Sequence, residues 1–114
     1  MPAIKEGDRV LLIDRKLFRD DNTRIFVGVV EEYDDGVVRA RGYSFHVSSY
    51  EIAGTERHSE ERSRVISLFA GDVMYILPRE IEIAKLQIRR SPKTLTLTDN
   101  LAYSMDLTEL MLRA

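Results

Sequence analysis

The sequence predicts a mainly β chain, built as one small five-stranded barrel with a β-rich C-terminal extension. Three observations carry this. Apolar runs rich in Val, Ile, Phe and Tyr recur between turn signals at Gly7-Asp8, Asp34-Asp35-Gly36 and Gly71-Asp72. Asp34-Asp35-Gly36 has hairpin chemistry, since Gly accepts φ > 0 and Asp can bond its own backbone. The strand that follows changes the phase of its alternation at Gly42, as a strand does where it bends.

Size and composition bound the rest. The 114 residues make one domain, long enough to bury a core without staples. There is no cysteine, so disulfides, thiolate metal sites and Cys nucleophiles are excluded, and a reducing compartment fits. With 17 basic and 19 acidic residues the net charge is −2, so nucleic-acid binding would have to come from a local patch. No apolar run reaches the ~20 residues of a membrane span. The N-terminus lacks a signal-peptide core. A soluble, cytoplasmic protein is expected.

Taken in order, Val10-Leu11-Leu12-Ile13 reads as a strand buried on both faces. Residues 24–33 are a second strand, closed by the Asp34-Asp35-Gly36 turn, and residues 37–47 return. In that return strand Val38 and Ala40 are apolar at even positions, but Tyr43, Phe45 and Val47 at odd ones. A β-bulge at Gly42 would restore one buried face by inserting a residue, and Gly28 is a candidate for the same role. Residues 48–63 are polar and read as a solvated loop. Residues 64–70 form a fourth strand, Gly71-Asp72 a tight turn and residues 73–77 a fifth strand, stopped by Pro78.

Residues 1–78 thus make the barrel and residues 79–114 the extension. Ile81, Ile83, Leu86 and Ile88 alternate as in a strand with a slip near Ala84-Lys85, where a short helix is the alternative. A three-residue loop at Thr98-Asp99-Asn100 would set Leu97 opposite Leu101 and form a β-hairpin. Leu95, Leu97, Leu101, Tyr103 and Met105 would then share one apolar face, which has to pack on the barrel or on a neighbouring subunit. Asp106-Leu107-Thr108-Glu109 resembles a capping box opening a short terminal helix.

No catalytic or metal-ligand pattern is present. His46 lies in a strand and His58 in the charged loop, and neither belongs to a spaced ligand set. Asp34 and Asp35 suit a turn better than acid–base work, because adjacent strand-end residues point to different sides. No Gly-rich phosphate loop occurs. A non-catalytic protein without cofactor or metal is expected. Arg39 and Arg41 share one strand face, and Arg89, Arg90 and Lys93 cluster later. These arginines are either a solvated sheet face or a phosphate-contacting one.

Five strands with a bent, Gly-containing middle pair describe a small SH3-like or Sm-like barrel. Gly28-Val29-Val30-Glu31-Glu32-Tyr33-Asp34 resembles the first Sm motif, and Phe69-Ala70-Gly71-Asp72-Val73-Met74-Tyr75-Ile76 looks like the second. The resemblance spans about residues 9–77. It implies a homo-oligomeric ring joined through edge strands, with single-stranded U-rich RNA as ligand. The RNA-binding residues it would assign are Tyr33, Asp34, Arg39, Arg41, Gly71 and Asp72. The Asn of the first motif falls on Val38 and the Arg of the second on Ala70, so the side chains that usually hold the base are replaced.

Two readings follow. One is an Sm-like (LSm) homo-oligomer that binds single-stranded RNA weakly and in a salt-dependent way. The other is a protein-interaction or assembly module on the same barrel, with no nucleic acid. In both, the strands at residues 64–70 and 73–77 pair with other copies.

Overall fold

A computed structural model describes residues 4–13, 23–47, 54–56, 59–68, 73–90, 94–99 and 103–107. The chain is mainly β. Its strands are β1 (Arg9–Ile13), β2 (Thr23–Asp34), β3 (Val37–Val47), β4 (Gly54–Glu56), β5 (Arg62–Ser67), β6 (Val73–Leu77), β7 (Gln87–Arg90), β8 (Leu95–Thr98) and β9 (Ser104–Asp106). They form a five-stranded sheet of order β5-β3-β2-β1-β6 and a four-stranded sheet of order β4-β7-β8-β9. Every ladder is antiparallel.

The expected barrel is not closed. β5 and β6 stand at opposite edges of the first sheet. Burial comes instead from layering. On one face of this sheet, Leu11, Ile13, Ile25, Val27, Phe45 and Leu77 share a core with Ile81, Ile83, Leu86, Ile88, Leu95, Leu97 and Leu107 of the C-terminal region. The extension therefore packs on the first sheet, as its apolar face requires. On the opposite face a second core draws on all five strands: Val10, Leu12, Phe26, Val30, Val38, Ala40 and Ile66, bordered by Met74. This explains why β1 reads as four consecutive apolar residues, since both of its faces are buried.

The two cores also correct the expectation of a bulge at Gly42. The β2–β3 register runs unbroken from Thr23↔Val47 through Gly28↔Gly42 to Val30↔Ala40, and the irregularity lies between Val30 and Glu32. Alternation along β3 never slips. Val38 and Ala40 enter the second core, whereas Phe45 enters the first, with Tyr43 packed against it. The apparent change of phase is a change of core. The paired glycines answer a close approach instead. A Cβ on Gly42 would overlap the carbonyl oxygen of Val27 and lie 2.5 Å from Gly28 Cα. On Gly28 it would meet the Phe26 ring at 2.7 Å.

The β2–β3 turn is as expected. Asp34 pairs with Val37, and Asp35 and Gly36 both take positive φ, 45° and 84°, the combination a two-residue type I′ turn requires. Several boundaries differ. β4 lies inside the segment read as a solvated loop and pairs with β7. Ile83–Lys85 is one 3-10 turn, which is the slip seen between Ile83 and Leu86. Leu97 pairs with Met105 and Thr98 with Ser104, so the connection is residues 99–103 and not the three-residue loop that would set Leu97 against Leu101. Asp99 holds this longer loop, its carboxylate accepting the Tyr103 N–H at 3.1 Å. Leu101 lies outside the described residues. Asp106 is extended at the end of β9 and pairs with Thr96. The expected terminal helix beyond Leu107 lies outside the described residues.

The link between the sheets is pinned at Asp8. This buried carboxylate accepts the Lys5 N–H at 3.0 Å and meets Arg79 at 2.7 Å. Arg9 donates to the carbonyl oxygens of Gly7 and Ile81.

Candidate functional site

The residues proposed to contact RNA do not converge. Cross-strand register puts Arg39 and Arg41 on the first face of the sheet, with Val29 and Val65. Tyr33 faces Val38 and borders the second core, on the opposite side. Asp34 sits at the hairpin end. Gly71 and Asp72 lie outside the described residues. The two arginines face carboxylates: Arg39 meets Glu32 at 3.1 Å and Glu31 at 4.0 Å, and Arg41 meets Glu31 at 3.6 Å and Glu61 at 3.7 Å. The bulge at Glu31/Glu32, which sequence alternation did not reveal, sets two acidic residues opposite one arginine. Tyr43 donates its hydroxyl to Glu61 at 3.3 Å. Burial first, and then the Glu61 carboxylate, raise its pKa above the usual 10.0.

Among the described residues no group of three or more His, Asp or Glu is placed to hold a metal ion. His46 is exposed on β3, opposite Arg24.

What stands out is the pair of open edges. The Val30 N–H donates to the Asp8 carbonyl at 2.8 Å and the Leu68 N–H to the Gly36 carbonyl at 2.8 Å. Antiparallel ladders alternate hydrogen-bonded and non-bonded pairs, so these two bonds fix the direction of every backbone group in the sheet. In β6, Tyr75 and Leu77 bond inward to β1, while Met74 and Ile76 point their N–H and C=O outward. In β5, residues 62, 64 and 66 bond inward to β3, while Ser63 and Val65 point outward. Among the described residues no strand pairs with either outer edge. Each edge also exposes a β-branched side chain at an outward position, Val65 at 68% and Ile76 at 53%. The edges fall on the strands that the sequence had assigned to pairing between copies.

No helix among the described residues is long and apolar enough to cross a membrane. No family model matches the chain, and no curated protein or solved structure matches it.

Proposed function

We propose that this protein is a non-catalytic assembly module whose first sheet accepts strands from other chains at its open edges, and that it self-associates through β6. The observation that carries this is the β6 edge: Val-Met-Tyr-Ile-Leu without a charge, its outer backbone groups unpaired by any described strand, with Ile76 half exposed. Soluble proteins blunt such edges with Lys, Pro or a bulge, and β6 has none of these. Two β6 strands laid antiparallel would bury Ile76 and Met74 of each copy, roughly 1.5–3 kcal/mol for each fully buried side chain, and would pair the outward groups. The chain order of the five strands, with residues 62–67 and 73–77 at the two edges, also supports the Sm-like reading. Single-stranded RNA is the less favoured partner, because Arg39 and Arg41 already face carboxylates and Tyr33 lies on the other face.

Light scattering tests the proposal. The wild type is expected as a closed oligomer and Ile76→Lys as a monomer with an unchanged far-UV spectrum. A wild type that stays monomeric at about 50 μM, a concentration at which an interface worth about 8 kcal/mol would hold, would overturn it.

A further inference from the structure

β6 is symmetric in its chemistry about its middle residue. Val73, Tyr75 and Leu77 stand opposite Ile13, Leu11 and Arg9 of β1, and the ladder turns the backbone groups of Met74 and Ile76 outward. These two residues lie one step either side of Tyr75, and Pro78, which has no N–H, follows the strand. Met74 and Ile76 stand opposite Leu12 and Val10, which enter the second core, so both lie on the second face. Tyr75 packs against the first core. No residue of β6 is charged.

We infer that the β6 edge takes β6 of a second copy about a two-fold axis through Tyr75, in one fixed register: Met74 opposite Ile76 of the partner subunit, and Tyr75 opposite Tyr75 of the partner subunit. The inference deepens the β6 proposal above and rests on it. Three antiparallel registers would bring outward groups face to face, and the strand itself selects among them. Centred on Tyr75, Met74 and Ile76 of both copies all exchange N–H and C=O groups. Centred on Ile76, Met74 would meet Pro78 of the partner subunit, which has no N–H to donate. Centred on Met74, Ile76 would reach past Val73, where β6 begins, and Met74 alone would be paired within the strand. The Tyr75 centre also sets Ile76, 53% exposed, against Met74 on the second face. On the first face it joins two aromatic rings across the axis, a pairing that stabilises antiparallel strands. Because β6 carries no charge, its own copy meets no like-charge repulsion. A two-fold contact uses the same patch on both subunits, so growth through this edge stops at a dimer. A ring of the Sm-like kind would instead set β6 against a different strand of the next copy.

The chain has no cysteine, so introduced ones report the register alone. Met74→Cys and Ile76→Cys proteins, one of them isotope-labelled, are mixed under reductant in dilute solution, then concentrated and oxidised. Mass spectrometry separates the three disulfide dimers. In the Tyr75-centred register, residues 74 and 76 of opposite copies have Cα atoms about 5.5 Å apart, within the span of a disulfide. Like residues lie about 7–8 Å apart, beyond it. The mixed dimer should therefore exceed either homodimer by about tenfold, against about twofold for random pairing. Tyr75→Cys alone should cross-link to a homodimer, since its non-bonded pair brings the Cα atoms to about 4.5 Å. It also serves if Met74→Cys or Ile76→Cys fails to fold. An excess of the Met74→Cys or the Ile76→Cys homodimer would mean another register and would overturn the inference. So would an assembly that Ile76→Lys dissociates but none of these cysteines cross-links, since the edge would then meet a different strand of the next copy. Both results leave self-association through β6 standing. A wild type that stays monomeric rejects that proposal, and this inference with it.

Discussion

Replacing Gly42 by Ala perturbs the point where both cores meet. The added Cβ would overlap the Val27 carbonyl oxygen and approach Gly28 Cα to 2.5 Å. Both obstacles are backbone, so no rotamer change relieves them, and β2 must move away from β3 at the centre of the sheet. Overpacking of this kind costs about 1–3 kcal/mol and occasionally more. The loss of a flexible glycine from the unfolded chain returns about 0.4–1 kcal/mol. A net destabilisation of about 1–1.5 kcal/mol is expected, which lowers Tm by roughly 4–12 °C for a domain near 100 residues. Urea unfolding followed by circular dichroism measures it, with Arg41→Ala as the neighbouring surface control. A Gly42→Ala protein within about 0.5 kcal/mol of wild type would refute the unbroken register and restore the case for a bulge at that position.

Two further outcomes follow from particular contacts. Asp8→Ala leaves the Lys5 N–H and Arg79 without their acceptor and should cost about 2 kcal/mol in urea unfolding, with Asp8→Asn retaining part of it; no change would mean the pin between the sheets is idle. Burial raises the Tyr103 pKa above the usual 10.0, so the folded state holds that proton more tightly than the unfolded one. Its contribution is fully present below pH 10.0 and is lost as pH rises through the higher folded value. Tyr103→Phe should therefore flatten the alkaline fall in stability above pH 10, and an identical fall in both proteins would contradict this.

The middle of the fold was legible because local chemistry decides it. Asp35 and Gly36 demand one turn type, and β-branched runs flank them. β1 was legible for a similar reason: four apolar residues in succession leave no polar face. The phase change at Gly42 misled because alternation reports which face is buried, not how many cores there are. With a second sheet covering one side, both faces of β3 are buried in turn, and a regular strand imitates a bulged one. β4 was missed because three residues, Gly-Thr-Glu, carry no apolar signal; their pairing comes from β7, far along the chain. The Leu97–Leu101 pairing failed for a local reason, the Asp99–Tyr103 bond that favours a longer loop. The arginine sites were legible as residues but not as a site. Their carboxylate partners come partly from the Glu31/Glu32 bulge, and no period reveals it.

Amide hydrogen exchange along β6, followed against protein concentration, addresses the open-edge proposal most directly. Tyr75 and Leu77 bond inward to β1 and should be protected at every concentration. Met74 and Ile76 point outward and should exchange fast in dilute protein, then slow as concentration rises and the edge finds its partner. Ile76→Lys should keep them fast throughout. Protection of Met74 and Ile76 that is already complete in dilute monomer would mean that the edge is satisfied within the chain. Fast exchange at every concentration in the wild type would mean that it recruits no second copy.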